Sequence, residues 1–165
     1  QIISPTIIYG AYKNLDDSNY SRIIKFFQKS PFCFIPNSTG YRQPIHFSKL
    51  SKLTFFFLKL FNDKEYKSDY PNIIEVGGDE ELSYKELLIR LSKISSKGST
   101  NLCRFLIIPN KLFLFLIMLF LIFKPRLFDA LYRMQADLSG FTKCSDYLGE
   151  ESEKFPLDYF NDNKN

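Results

Sequence analysis

Arg42 and His46 are the side chains whose types and spacing best suit the binding of a charged ligand. The guanidinium of Arg42 offers a planar fork of donors that matches phosphate oxygens and stays charged at any physiological pH. His46 is the only histidine of the chain. If the segment is a strand, alternation places Arg42, Pro44 and His46 on one face. The alternative interpretations are a surface arginine and a hydrogen-bonded structural histidine.

Several kinds of catalytic site are excluded by what the sequence lacks. A single histidine excludes most catalytic zinc sites and the HExxH motif, which need two imidazoles. The cysteines, Cys33, Cys103 and Cys144, form no CxxC pair, which is typical of reduced cytoplasmic thiols. No GxGxxG loop, P-loop or GxSxG elbow occurs. The sequence therefore predicts no metal site, no phosphate loop for a dinucleotide and no standard nucleophile.

Four short motifs follow one another along the chain. They are Ser4-Pro-Thr-Ile-Ile-Tyr-Gly10, Gly40-Tyr-Arg-Gln-Pro-Ile-His46, Val76-Gly-Gly with Leu82-Ser-Tyr84, and a closing group of Tyr132-Arg133, Asp137-Leu138 and Leu148-Gly149. Each motif alone arises easily by chance. Four of them in this order and at these intervals are hard to produce accidentally.

This series resembles the second half of the NAD-dependent epimerase/dehydratase family of extended short-chain dehydrogenases/reductases. Members carry a Pro-Thr-x-x-Tyr-Gly strand end, an Arg-Gln-Pro-x-His element, a Gly-Gly turn before a helix and a closing Asp-Leu…Leu-Gly segment. The match covers nearly the whole chain. The resemblance implies that residues 1–165 are the C-terminal, substrate-binding part of such an enzyme. The NAD-binding half, with its glycine-rich loop and catalytic Tyr-x-x-x-Lys pair, would lie upstream of Gln1.

The resemblance also implies a ligand, a nucleoside-diphosphate sugar, and residues that contact it. Arg42 and Arg133 would neutralise the diphosphate from both sides, and Gln43 and His46 neighbour Arg42 on its element. The implied reaction is hydride transfer in an epimerase, dehydratase or 4-ketoreductase. Since the family's proton chemistry belongs to the upstream Tyr, we expect no catalytic residue in this chain, and we expect the chain alone to be inactive.

The resemblance implies that Pro5 and Thr6 contact the cofactor, NAD or NADP. They would lie near its nicotinamide end, and Thr6 could offer a hydroxyl there. The alternative is a strand threonine whose hydroxyl is satisfied within the protein.

Three positions depart from the family pattern. Ser4 stands where members usually carry Arg, and Lys49 where an Asp usually follows the His element. Residues 150–155 stand where the tail usually reads Gly-aromatic-x-Pro-Arg. We expect these departures to alter local ion pairs and the closing loop, but not the fold.

Hydrophobic periodicity indicates alternating strands and helices. Strands are predicted at Ile2–Ile8, Ile73–Val76 and Phe105–Ile108. Helices are predicted from a cap at Asp17–Asn19 up to Pro31, from a Ser48 cap to about Phe61, and after the Ser83–Glu86 capping box. The inner faces assigned to these helices are Ile23, Ile24, Phe26 and Phe27; Leu50, Leu53, Phe57 and Leu60; and Leu87, Leu88, Leu91 and Ile94. A turn is predicted at Pro36–Gly40, a linker at Ser95–Thr100 and a loosely held tail after Glu150.

This order of elements predicts an α/β fold. With the resemblance, the expected architecture is the last strands of a Rossmann-like parallel sheet plus a small mixed α/β substrate-binding subdomain. The formal net charge of +4 is spread over interspersed acids and bases, so no nucleic-acid surface is predicted.

Leu112–Phe123 is an unbroken run of twelve apolar residues between basic flanks. A bilayer span needs about twenty residues, so we do not expect a transmembrane helix. The leading interpretation is a helix buried by its own domain, a partner or the upstream half. Peripheral contact with a membrane, or a homodimer through this run, is the second. The predicted location is the cytoplasm, with the inner membrane surface as a variant.

Two other functions remain open at this stage. One is a non-enzymatic Rossmann-like scaffold or membrane-associated interaction module that has kept the fold and lost the chemistry. The other is an unrelated α/β binding domain whose motifs match by chance.

Overall fold

The computed structural model describes residues 2–10, 20–62, 70–95 and 103–156. The chain divides into two compact units. The first unit comprises Gln1–Asp17, Gln43–Glu81 and Ser139–Asn165, and the second comprises Ser18–Arg42 and Leu82–Leu138.

Both units alternate short strands with helices. The strands are β1 (Ile2–Pro5), β2 (Ile8–Tyr9), β3 (Phe32–Pro36), β4 (Tyr41–Arg42), β5 (Ile45–His46), β6 (Ile73–Gly77), β7 (Leu82–Ser83), β8 (Arg104–Ile108) and β9 (Thr142–Lys143). The helices are α1 (Tyr20–Lys29), α2 (Phe47–Asn62), α3 (Tyr84–Ser95), α4 (Asn110–Phe123), α5 (Pro125–Tyr132) and α6 (Cys144–Leu148), with a 3-10 turn at Arg133–Gln135. The predicted α/β class is confirmed.

The first unit is built on parallel strands. β6 pairs with β1 on one side and with β9 on the other, and β2 pairs with β5. Its core consists of residues from β5, β6, α2 and the start of α6: Ile45, Leu53, Phe57, Ile74, Val76 and Cys144. The predicted single strand at Ile2–Ile8 is divided in two because Thr6 and Ile7 form a bend.

Helix α2 confirms the predicted stripe. Leu53 and Phe57, one turn apart, are fully buried, and Leu50 and Leu60 pack against the same core. The predicted Ser48 cap is wrong, since the helix already begins at Phe47. The Ser48 hydroxyl instead lies 2.6 Å from Nδ1 of His46.

The second unit combines β3, parallel to β8, with β4, antiparallel to β7. The Ser83 cap is confirmed, since the Glu86 N–H donates to Ser83 Oγ at 3.1 Å. The buried positions Leu87, Leu88 and Leu91 of α3 are also confirmed.

Helix α1 confirms Ile24 and Phe27 of the predicted inner face, but it exposes Phe26 and buries Tyr20. Tyr20, Ile24 and Phe27 follow helical spacing and are buried, and the Phe27 ring packs against Phe105. Phe26 lies about 100° around the helix from Phe27 and is exposed, so its assignment to the core was wrong. The cap at Asp17–Asn19 lies outside the described residues.

Two loop predictions have different outcomes. The turn at Pro36–Gly40 is confirmed from Asn37 onward, but Pro36 ends strand β3, which sequence analysis missed. Ser95 ends α3 rather than opening a linker, and the rest of Ser95–Thr100 lies outside the described residues.

The apolar run Leu112–Phe123 forms nearly all of α4. Only Phe113 and Ile117 of this helix are buried. Burial by the run's own domain is therefore wrong for most of its side chains, whereas burial by a partner or by the upstream half stays a prediction. Among the described helices, none is long and apolar enough to cross a membrane.

Candidate functional site

The carboxyl ends of the first unit's strands line a pocket. Tyr9 and His46 end the paired strands β2 and β5, while Gly78 and Cys144 directly follow β6 and β9. All four line the same pocket. Parallel α/β sheets bind ligands at the carboxyl ends of their strands, so this pocket is the candidate site of the first unit.

Gln43 forms hydrogen bonds with several of the segments around this pocket. Its side-chain nitrogen donates to the carbonyls of Gly78 and Phe141 at 2.8 and 2.9 Å, and its Oε1 accepts the Phe141 N–H at 3.0 Å. Its main-chain carbonyl accepts the Gly78 N–H at 3.1 Å and the Thr6 hydroxyl at 2.5 Å. Gln43 is fully buried, and both ends of its amide are satisfied.

The Gly-Gly pair is required by this arrangement. A Cβ on Gly77 would lie 2.4 Å from the Gln43 side chain, and one on Gly78 would lie 1.8 Å from the carbonyl oxygen of Pro44. Any larger residue at either position would push the Gln43–Pro44 segment away. The presence of glycine at both positions therefore has a steric reason.

Pro5 and Thr6, the residues predicted for the cofactor, lie at the carboxyl end of β1. Pro5 pairs with Val76, and the Thr6 N–H donates to the Val76 carbonyl at 3.0 Å. The Thr6 hydroxyl donates a hydrogen bond to the main-chain carbonyl of Gln43. The hydroxyl oxygen still has lone pairs that can accept a hydrogen bond.

His46 is half-buried at the pocket wall. Its ring meets Tyr9 edge-on at a centroid distance of 5.1 Å and lies 4.6 Å from the ring of Phe47. Nδ1 lies beside Ser48 Oγ, and Nε2 is directed at Gly10, where a Cβ would lie 2.7 Å away. The ring orientation is thus fixed from several sides.

Lys49 and the tail form an ion-pair cluster beside the pocket. The Lys49 ammonium, almost fully buried, lies 2.5 Å from Glu150 and 3.2 Å from Glu153. Burial alone would lower the pKa of Lys49, but hydrogen bonds to the two carboxylates outweigh burial and raise it. Hydrogen bonds from Lys49 and Lys52 lower the pKa of Glu150.

Two of the positions singled out in the sequence meet in this cluster. Lys49 contacts Glu150 and Glu153, which both belong to the segment 150–155.

Asp79 and Glu80 also hold the tail, which sequence analysis did not foresee. Asp79 accepts the N–H groups of Ser145 and Glu153 at 2.9 and 3.0 Å, and Glu80 accepts that of Phe155 at 2.9 Å. The Phe155 ring packs edge-on against Tyr9 at 4.8 Å. The prediction of a loose tail after Glu150 is wrong for the described residues 151–156. The one available signal was the acidic run directly after Gly78.

Cys144 lines the pocket as a neutral thiol. Burial, followed by the nearby Asp79 carboxylate, raises the pKa of Cys144 to about 11. A thiol with this pKa is protonated at physiological pH and is a poor nucleophile. Among the described residues, no group of three His, Cys, Asp or Glu side chains could hold a metal ion.

Arg42 belongs to the second unit, where it is 2% exposed. Its Nη1 donates to the carbonyls of Tyr41 and Ala136, and its Nη2 donates to that of Arg133. The guanidinium also lies 5.1 Å from the centroid of the Tyr84 ring. Burial lowers the pKa of Arg42, against the influence of Tyr84, Tyr20 and Asp137. Three of its donors are thus committed to main-chain oxygens.

Arg133 presents its side chain to solvent. The side chain is 69% exposed, and its guanidinium pairs with Asp129, one helical turn earlier, at 2.8 Å. Its main-chain carbonyl accepts from Arg42, so the structure brings the two predicted arginines together through backbone rather than through facing side chains.

The Arg-Gln-Pro-x-His element is not one strand. β4 ends at Arg42 and β5 begins at Ile45, so the alternation expected for Arg42, Pro44 and His46 does not apply. Arg42 is assigned to the second unit, and Gln43 and His46 are assigned to the first.

No family model matches this sequence, and no curated protein matches it. Among solved structures, MoeE5 in complex with UDP-glucuronic acid and NAD is similar to 92% of the chain at 11% identity and a TM-score of 0.49. MoeE5 in complex with UDP-glucose and NAD is similar to 93% at 10% identity and a TM-score of 0.47. The chain spans 41% and 42% of the length of these structures.

Proposed function

We propose that this chain is the substrate-binding part of an NAD(P)-dependent enzyme that acts on a nucleoside-diphosphate sugar as an epimerase, dehydratase or 4-ketoreductase. The observation that best supports this proposal is the set of hydrogen bonds made by Gln43. This residue of the second motif bonds Thr6 of the first, Gly78 of the third, and Phe141, which lies between Leu138 and Leu148. Motifs that matched by chance would have no reason to meet at one buried side chain.

The two arginines take different parts in this proposal. Arg133, exposed and held by one surface ion pair, is the diphosphate contact, because a diphosphate can replace Asp129 as its partner. Arg42 is a positioning residue. By holding the carbonyls of Arg133 and Ala136 it fixes the backbone that carries Arg133.

In the first unit, His46 is the proposed substrate contact, and Gln43 holds the pocket segments in place. Pro5 and Thr6 are the proposed cofactor contacts, and the acceptor lone pairs left on Thr6 Oγ1 suit an N–H or O–H donor. Bound NAD(P) would supply hydride transfer. Its phosphates would be held by residues outside this chain, since no glycine-rich phosphate loop occurs here.

Binding of UDP-glucose, measured by ligand-detected NMR with free glucose as the negative ligand, tests the proposal. A charge-assisted hydrogen bond contributes about 1.5–3 kcal/mol, so Arg133→Ala is expected to weaken binding by roughly tenfold or more. Arg104→Ala, an exposed arginine in the same unit, is the matched control and should leave binding unchanged. Binding that is insensitive to Arg133→Ala, or equal for glucose and UDP-glucose, would contradict the proposal.

The non-enzymatic alternative is a Rossmann-like scaffold or a membrane-associated module. It predicts an upstream reading frame without the Tyr-x-x-x-Lys pair, whereas the enzymatic proposal predicts both that pair and a glycine-rich loop. A cytoplasmic location, at the inner membrane surface or free of it, fits either function. Homodimerisation through Leu112–Phe123 is tested together with membrane binding below.

A further inference from the structure

The two units carry opposite formal charges. By sequence, the second unit holds 13 Lys and Arg against 3 Asp and Glu, a formal charge of +10. The first unit holds 9 against 15, a formal charge of −6. The overall charge of +4 therefore conceals a strong asymmetry, and the interspersed pattern inferred from the whole sequence does not hold within the second unit.

The apolar helix of the second unit lies in a segment without acidic residues and has basic residues at both ends. From Leu87 to Phe128 the sequence contains seven Lys and Arg and not one Asp or Glu. Lys111 lies in the first turn of α4, and Lys124 and Arg126 flank the junction of α4 and α5. All three are exposed, and within the described part of the chain none of them is paired with a carboxylate.

Helix α4 has one buried side and one strongly exposed apolar side. Phe113 and Ile117 are one turn apart and buried. On the opposite side, Phe115, Leu119, Ile122 and Phe123 are 67%, 57%, 80% and 81% exposed. We call these four residues the apolar stripe. Helical spacing also places Lys111, four residues before Phe115, at the start of the stripe.

We propose that the second unit binds the surface of an anionic bilayer through α4. The apolar stripe enters the boundary between headgroups and acyl chains, and Lys111, Lys124 and Arg126 contact lipid phosphates at the two ends of the helix. A helix of 14 residues is about 21 Å long, so it lies along the surface and does not span the bilayer. This inference is independent of the proposed nucleotide-sugar function.

Charge selects this partner over the alternatives. Two copies of a unit with a formal charge of +10 repel one another, which disfavours a homodimer through the same face. Nucleic acid would satisfy the charge, but the apolar stripe offers no hydrogen-bonding group for bases or phosphates. An anionic bilayer satisfies both the basic and the apolar residues.

Flotation of the chain with vesicles tests the proposal, using phosphatidylcholine alone or phosphatidylcholine mixed with phosphatidylglycerol. We expect binding to the mixed vesicles that weakens as salt is raised. A Lys or Arg near an anionic surface contributes about fivefold in affinity, so the triple change K111Q/K124Q/R126Q should reduce partitioning by about a hundredfold. The change F115S/I122S/F123S should abolish binding.

Matched controls lie in the first unit. K59Q/K143Q/K154Q removes three exposed lysines, and F55S/L58S removes two exposed apolar side chains of α2. Both should leave flotation unchanged, and far-UV circular dichroism checks that every variant is folded.

Three outcomes would overturn the proposal. The first is a chain that stays in the soluble fraction with both kinds of vesicle. The second is equal binding to neutral and anionic vesicles. The third is a dimer in sedimentation that I122S/F123S dissociates, which would assign the stripe to a second copy of the chain.

Discussion

Arg42 donates from both terminal nitrogens of its guanidinium to three main-chain carbonyls, and Arg42→Met removes these hydrogen bonds while keeping an unbranched apolar stem. In this variant the Tyr41 carbonyl still accepts a hydrogen bond from the Leu138 N–H, which lies at 2.9 Å. The Arg133 carbonyl likewise still accepts from the Ala136 N–H, at 3.1 Å. Among the described residues, the Ala136 carbonyl accepts a hydrogen bond from Arg42 alone.

The expected destabilisation follows from this inventory. Hydrogen bonds to a charged group contribute about 1.5–3 kcal/mol each, and Ala136 is exposed, so water can take the place of the donor that its carbonyl loses. Removal of the guanidinium also removes the cost of burying it, which offsets part of the loss. We therefore expect Arg42→Met to lower the free energy of unfolding by about 3 kcal/mol.

Urea denaturation followed by far-UV circular dichroism measures this change, since the chain contains no tryptophan. Arg133→Ala is the matched control. Its side chain is mostly exposed and has one surface ion pair, so its effect should stay within about 0.5 kcal/mol. If Arg42→Met were as stable as Arg133→Ala, the positioning role of Arg42 would be refuted. An accompanying loss of UDP-glucose binding would instead make Arg42 a direct ligand contact.

Three further predictions concern other contacts. Gln43→Glu replaces a group that donates to two carbonyls by a carboxylate that can only accept. In urea denaturation it should lower the free energy of unfolding by about 3 kcal/mol at neutral pH, and by less in acid, where the new carboxyl is protonated. Gln28→Glu, at an exposed position of α1, is the control and should be nearly neutral. Ser83→Ala should cost about 1 kcal/mol in the same assay, and an unchanged midpoint would contradict the capping role. Lys49→Gln should speed hydrogen exchange at the Glu153 and Phe155 amides, as measured by NMR, by roughly tenfold, because the tail loses its ion pairs. In the unmodified chain this protection from exchange should be present above the ordinary glutamate pKa, and it should be lost in acid as Glu150, whose pKa is lowered in the fold, becomes protonated. Because the pKa of Lys49 is raised, loss of protection through deprotonation of Lys49 should occur only at strongly alkaline pH. Protection that does not change in acid would exclude the ion pair as its source.

Local sequence patterns located several elements correctly. Helix α3 follows from its cap and from Leu87, Leu88 and Leu91, which repeat at helical spacing and bury one face. The stripe of α2 follows in the same way. Such elements are predictable because the signal lies within one turn or one helix.

Contacts between distant segments could not be predicted in this way. The sequence marked Arg42 as a cation suited to phosphate, but not that carbonyls more than 90 residues away would take up its donors. It marked Lys49 and the tail as separate departures, and only folding brings Lys49 to Glu153. It did not reveal that Asp79 and Glu80 hold the tail.

The sequence by itself determined the α/β class, the main helices and the order of the four motifs, because hydrophobic spacing and short motifs are local properties. Only the tertiary structure decided that Gln43 of the second motif bonds residues of the first and the third, that Arg42 is buried while Arg133 is exposed, and that one side of α4 faces solvent. Hydrogen-bond partners and exposure depend on which distant segments pack together, and the spacing of residues along the chain does not specify that.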